Sequence, residues 1–244
     1  VTTGNSVTTP LTVNCDNTKA ENNCIPQSPN YKRKLQELLS PSELLDDHLE
    51  FDDIDKALHE SDEENILRSG KEWLGDKMTS FNNTKSFSIN FPNLKTSVPI
   101  KFKSYIGGRT TAPYGSTVKV NINGQEVISH ADPGISSATY ADAYKAVINS
   151  TTFSAASDQL NIAYSFSTTY DPAGTAAAYI NYFEINLKRN LSLSGNAMPF
   201  RNAYSVGVGN ISQFDLSNAS SATKIWDVTN LGDIQEIQGI LNGS

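Results

Sequence analysis

Chemistry in this chain would have to come from three histidines, two cysteines and a run of carboxylates. His59-Glu60 begins like the helix of a zinc protease, where a second histidine four residues after the first completes the metal site; that position holds Glu63, so no such site is built. Gly207-Val208-Gly209 opens like a dinucleotide-binding turn. Ser212, however, stands where a third glycine must let helix and strand approach. Asp53-Ile54-Asp55 has the carboxylate spacing of a calcium loop without the glycine needed at the sixth position, so a solvated acidic face is the favoured reading. No G-x-S-x-G nucleophile elbow occurs. His48 and His59 lie in the acidic segment and His130 follows a strand, so no motif supplies a nucleophile for a triad. A glycosidase carboxylate pair is defined by a distance in space, which sequence spacing does not give.

Cys15 and Cys24 have no His, Asp or further Cys at metal-ligand spacing, and structural use is expected of them. A disulfide between them would contribute about 2.7 kcal/mol by constraining the unfolded chain. Such a pair suits an exported protein. The chain opens on Val1 with neither a Met start nor a signal-peptide pattern, and is read as a trimmed sequence. No cofactor or metal is called for.

The elements that must position these residues follow from composition and period. Serine (28), threonine (20) and asparagine (24) dominate the 244 residues, with 10 Tyr and 10 Phe. That mixture of uncharged polar and aromatic residues favours short strands and turns. Between Glu43 and Glu64 eleven Asp or Glu face the single basic residue Lys56; since the whole chain carries -7, the remainder sums to +3. A near-neutral body without a basic stripe excludes nucleic acid as the expected partner. No run of 18 apolar residues is present, so no transmembrane helix is expected. Six N-x-S/T sequons occur, and the asparagine, serine and threonine content alone would generate about five, so they imply no glycosylation.

Residues 1 to about 40 carry few periodic apolar positions and are expected to be loosely structured. Ser40-Pro41-Ser42-Glu43 reads as a helix start, predicting a short helix over about 41–50; Phe51, Ile54 and Leu58 could continue it, although seven acidic residues from Asp46 to Glu60 oppose that. From Phe87 the period becomes two. Phe87, Ile89 and Phe91 alternate with polar residues, as do Val98, Ile100 and Phe102; Val118, Val120 and Ile122 lead into the hairpin pair Asn123-Gly124, and Val127 and Ile128 return. Leu160, Ile162, Tyr164 and Phe166 alternate again, and a longer run from about Ala178 closes on Phe183, Ile185 and Leu187. Val206, Val208, Ile211, Phe214, Ile225, Trp226 and Val228 predict two or three closing strands. The fold class is therefore all-β, an antiparallel, jelly-roll-like β-sandwich over residues 69–244, with the arm and its short helix and acidic stretch over 1–68. Trp73 is read as an aromatic anchor at the sandwich edge and Trp226 as core.

Three segments carry a resemblance. Asp62-Glu63-Glu64-Asn65 precedes Ser69-Gly70-Lys71-Glu72-Trp73-Leu74-Gly75-Asp76; the run from Ala178 to Leu191 follows; then comes Lys224-Ile225-Trp226-Asp227-Val228-Thr229. In order and separation they resemble the region upstream of the peptidase domain in PorU-like sortases of the type IX secretion system, relatives of the gingipain cysteine peptidases. The resemblance spans residues 47 to 230, and Ser69, Gly70, Trp73, Gly75, Trp226 and Asp227 are its structural marks. None is a catalytic signature. It implies a parent that is a surface-exposed cysteine peptidase of a Gram-negative Bacteroidetes-type bacterium, which removes the C-terminal signal of secreted cargo and joins the cargo to anionic lipopolysaccharide. The family's catalytic His and Cys lie after the W-D-V-T segment, so none is carried over to residues up to Ser244. The implied role is a non-catalytic accessory domain whose partners are the parent's own peptidase domain, cargo or secretion components.

Two other readings compete. A carbohydrate-binding jelly roll is suggested by Tyr105, Tyr114, Tyr140, Tyr144 and Tyr170 in or near loops, and it predicts a row of coplanar exposed rings with a glycan as partner. A free-standing hydrolase comes third.

Overall fold

The period-two runs fall in or against strands. The computed structural model describes residues 9–16, 52–66, 72–136, 143–201, 211–228 and 230–241. Its strands are β1 (Thr9–Asp16), β2 (Asp52–Glu60), β3 (Gly75–Thr79), β4 (Thr84–Asn90), β5 (Ile100–Arg109), β6 (Ser116–Ile122) and β7 (Gln125–Asp132), then β8 (Lys145–Phe153), β9 (Gln159–Thr168), β10 (Ala177–Asn190), β11 (Ile211–Ala219), β12 (Ile225–Asp227), β13 (Gln235–Ile237) and β14 (Ile240–Leu241). The helix expected over 41–50 lies outside the described residues, as do Cys24, Ser69, Gly70, Tyr140 and the Gly207-Val208-Gly209 turn. No helix among the described residues is long and apolar enough to cross a membrane.

The chain divides into two compact units, Lys56–Leu187 and the remainder. The first is an antiparallel sandwich. One sheet has the order β2-β10-β5-β8 with β3 also on β10, and the other has β4-β9-β6-β7. From β3 to β10 the chain crosses between sheets at every step except the β6–β7 hairpin, which is the double Greek-key wiring of a jelly roll. The hairpin turns on Asn123 (φ 50°) and Gly124 (φ 85°), a left-handed pair as the sequence predicts.

Alternation sends one face of each strand inward. Val118, Val120, Leu160, Ile162 and Tyr164 are all buried, and Phe102, Ile106, Phe183 and Ile185 meet them from the opposite sheet. β10 departs from simple alternation, because both its faces are covered: Ala178 and Ile180 join the core while Ala177 and Tyr179 pack with Leu74 in a separate cluster. The helical continuation through Ile54 and Leu58 is not adopted, since Asp52–Glu60 is a strand paired to β10. A strand distributes its carboxylates along both faces and takes backbone hydrogen bonds that β10 has on offer, which outweighs the helical apolar spacing.

The register fixes which connections share an end. Thr79 and Arg109 both pair with Ala177, while Ser116 pairs with Thr168 and with Asp132. The β3–β4, β5–β6, β7–β8 and β9–β10 connections therefore emerge together, and the β6–β7 turn lies at the opposite end.

In the second unit β11 and β14 flank β1, and β12 pairs with β13. These later strands do not extend either sheet of the sandwich, although the sequence groups them with it. Leu191, Phe214, Leu216, Ala219 and Ile225 form their own cluster. Trp226, read from sequence as core, is 50% exposed. Neighbouring strand residues face opposite ways, and Ile225 takes the inward position, leaving the indole outside with Lys224 Nζ 5.8 Å from its ring.

Candidate functional site

A histidine beside a hydroxyl is the arrangement most suggestive of catalysis. His130 Nε2 on β7 lies 3.0 Å from Ser104 Oγ on β5, and Ser104 Oγ lies 2.9 Å from the Tyr164 hydroxyl on β9. All three residues are fully buried between the sheets, so no substrate reaches them. A triad would hold the imidazole through Nδ1, yet His130 Nδ1 has no hydrogen-bond partner among the described residues. Burial pushes the His130 pKa down to about 4 and the Tyr164 hydroxyl well up. The three groups are a neutral polar thread stitching the sheets together.

His59 on β2 also has a carboxylate partner, Asp76 Oδ2 at 2.5 Å, while Lys85 Nζ sits 3.5 Å from Asp76 Oδ1. Its ring is packed between Phe87 and Phe183, at 4.3 and 5.0 Å. His48 lies outside the described residues. Among the described residues no three His, Cys, Asp or Glu side chains are grouped to hold a metal.

The Glu72-Trp73-Leu74-Gly75 segment is a clamp. Leu74 and Glu64 exchange backbone hydrogen bonds at 2.8 and 2.9 Å. Glu72 accepts from the Tyr105 hydroxyl (2.7 Å), the Tyr144 hydroxyl (2.5 Å) and Asn181 Nδ2 (3.3 Å); Glu64 accepts from Tyr179 (3.1 Å) and Lys77 (3.2 Å). Burial, followed by hydrogen bonding to neighbours, pushes the Tyr105 and Tyr144 hydroxyls up, so both stay protonated donors at neutral pH. Leu74 is buried against Gly107, where an added Cβ would lie 2.6 Å from Leu74 Cδ1. Trp73 remains 42% exposed. At Gly75 a Cβ would come within 2.1 Å of the Ser61 carbonyl oxygen. The Ser61 carbonyl is backbone and cannot swing aside, so Gly75→Ala is expected to cost about 1–3 kcal/mol of unfolding free energy in urea denaturation, whereas an unchanged midpoint would mean that the segment is not clamped.

The end that gathers four connections presents the other aromatic set. Tyr114 and Tyr170 are 41% and 51% exposed, with ring centroids 4.6 Å apart and planes 43° from parallel. Thr168 Oγ1 donates to the Gly115 carbonyl at 3.2 Å, and Ile135 N bonds the Thr110 carbonyl at 2.6 Å, which fixes the β5–β6 loop. Asp171 Oδ2 accepts from Ser80 at 2.7 Å, while its Oδ1 accepts from the Thr175 and Ala176 amides. The Ser80 bond and those amides hold the Asp171 carboxyl below its ordinary range. Phe81, in the neighbouring loop, is 90% exposed with its ring edge over Gly174.

Of the five tyrosines expected to form a row, Tyr105 and Tyr144 are committed to Glu72, Tyr140 lies outside the described residues, and Tyr114 and Tyr170 form a tilted pair. Phe81 joins them outside the tyrosine pattern, and its signal in the sequence is a phenylalanine set in a polar turn string, Ser80-Phe81-Asn82-Asn83. Cys15 lies in β1. Asp227 ends β12 opposite Gln235. At the opposite end of the sandwich a cavity of about 650 Å³ is lined by Asn123, Gln125, Ser154, Ser157 and Asn161. In the second unit Met198, Phe200, Leu216, Trp226 and Ile237 line an apolar one of about 660 Å³.

No protein-family profile matches the chain, and no curated protein matches it in sequence. Among solved structures it is similar to dimeric latent PorU from Porphyromonas gingivalis, at 18% identity and a TM-score of 0.50, over 60% of this chain and 14% of PorU. It is also similar to the CBM36-1 domain of a multidomain xylanase from the hindgut metagenome of Trinervitermes trinervoides, at 13% identity, over 59% of this chain and all of that domain, with a TM-score of 0.34. The sugar-binding C-terminal domain of EclA matches over 66% of this chain and 99% of its own length, at 13% identity and a TM-score of 0.31. At such identity the likeness to PorU is one of fold, and the chain spans about a seventh of PorU's length.

Proposed function

We propose that this chain is a non-catalytic jelly-roll accessory domain of a gingipain-like sortase of the type IX secretion system, exposed at the cell surface, where it positions the peptidase domain or contacts cargo. The observation that carries this is the use made of the family-like residues. Gly75 and its segment neighbours Glu72 and Leu74 serve packing, Trp73 and Trp226 stay exposed, and the one close histidine–hydroxyl contact among the described residues is sealed in the core. The fold likeness to PorU and the three ordered segments support the same parent. Purified chain is expected to cleave neither casein nor a peptide library with or without thiol reductant, and its gene is expected to continue past codon 244 into a caspase-like domain. Peptide cleavage by the chain, or a reading frame closing near Ser244, would overturn the assignment.

A second reading, glycan binding by the same domain, is favoured by one observation, the exposed Tyr114–Tyr170 pair. It does not exclude the first, because an accessory domain can both dock and bind.

A further inference from the structure

Three loops that are distant in sequence meet through named bonds to make one continuous face. Thr168 ties the β9 end to Gly115, which sets Tyr170 against Tyr114; Ser80 is tied to Asp171, which sets Phe81 over Gly174. A phenylalanine 90% exposed and two half-exposed tyrosines, on loops tied to one another, are apolar surface that water covers at a cost.

The chemistry around these rings narrows the occupant. Residues 80–83, 110–115 and 168–176 contain no lysine or arginine, and Asp171 is their one charged residue. Within these loops phosphate, sulfate and anionic lipid headgroups meet no cation; Arg109 opposite Ala177 and Lys145 opposite Gly108 belong to the flanking strands. The exposed polar side chains of these loops are hydroxyl and amide: Ser80, Asn82, Asn83, Thr111 and Thr169. A pyranose presents an apolar C–H face that lies against an aromatic ring and a rim of hydroxyls that both donate and accept. The two inventories match.

We propose that the face made by Tyr114, Tyr170 and Phe81 binds a neutral oligosaccharide. This rests on the glycan-binding reading and adds the site and the charge class of the ligand. The Asp171 carboxylate acts as a positioning group, since its bonds to Ser80, Thr175 and Ala176 shape the loop that carries Tyr170.

The test is a titration of the full chain with uncharged hexasaccharides (gluco-, xylo-, manno- and galacto-), with a polyuronate hexamer, and with phosphatidylcholine and phosphatidylglycerol vesicles. At least one neutral sugar is expected to bind and the uronate to bind more weakly. Tyr114→Ala and Tyr170→Ala are each expected to weaken binding about tenfold, whereas Tyr170→Phe, which keeps the ring, stays close to wild type. Both tyrosines are surface residues, and an unchanged thermal midpoint confirms that the variants fold. Neutral-sugar binding that survives the double alanine variant overturns this site while leaving glycan binding intact. Binding of no neutral sugar overturns both, and binding of vesicles alone makes the face a membrane contact instead.

Discussion

Acidification from pH 7 to pH 4 is expected to remove about 3 kcal/mol of unfolding free energy through His130 alone. In the folded protein burial pushes its pKa down to about 4 from an ordinary 6.5, because the charged ring would sit dry in the core with Nδ1 unpartnered. The unfolded chain binds the proton more readily. Stability from this group is therefore complete above pH 6.5, falls as the pH drops through the window between 6.5 and 4, and levels off below. Urea denaturation across that window isolates the effect when wild type is compared with His130→Gln, which cannot titrate; carboxylate contributions are common to both. Parallel pH profiles for the two proteins would mean that the folded state accommodates a charged imidazole.

Phe183→Ala is expected to cost about 3–5 kcal/mol, the largest effect of any single substitution considered for this chain. The ring is fully buried on β10 and is surrounded by four others, at centroid distances of 5.0 Å (His59), 5.1 Å (Phe87), 5.8 Å (Phe102) and 6.1 Å (Tyr164). These belong to β2, β4, β5 and β9, so one deletion loosens both sheets at once. The expected readout is a lower urea midpoint with loss of near-ultraviolet aromatic dichroism. A loss below about 1 kcal/mol would show that this part of the core collapses freely around the gap.

Much of the sandwich is legible in the sequence because a half-buried strand must alternate. Leu160, Ile162, Tyr164 and Phe166 announce β9, and Asn123-Gly124 announces its neighbouring hairpin with the turn chemistry it needs. β2 is not legible, since its acidic residues mask a strand defined by the edge it joins and not by its own pattern. Trp226 is exposed where a core position is expected, because alternation shows that Ile225 and Trp226 face opposite ways without showing which way is in. The same limit applies to the tyrosines. Loop position suggested five exposed rings, but Tyr105 and Tyr144 answer to Glu72, a partner more than thirty residues away in sequence from each. The loop-end face depends on wiring that brings residues 80, 114 and 170 together, and no local signal encodes that meeting.

The jelly-roll wiring also governs when the fold can exist. β6–β7 is the one pairing between consecutive strands in the sandwich; β4 waits for β9, β5 for β8 and β10, and β2, which ends at Glu60, waits for a partner that begins at Ala177. Contacts of such long range make folding slow, because loop closure must precede any gain from pairing. A chain growing from its N-terminus can pair only the β6–β7 hairpin until β8 is made, cannot complete the β4-β9-β6-β7 sheet until β9 is made, and leaves β2 and β3 without their partner until β10 follows. Until then one sheet lacks the strand that joins β2 and β3 to β5, so the sandwich closes only after about three quarters of the chain has been made.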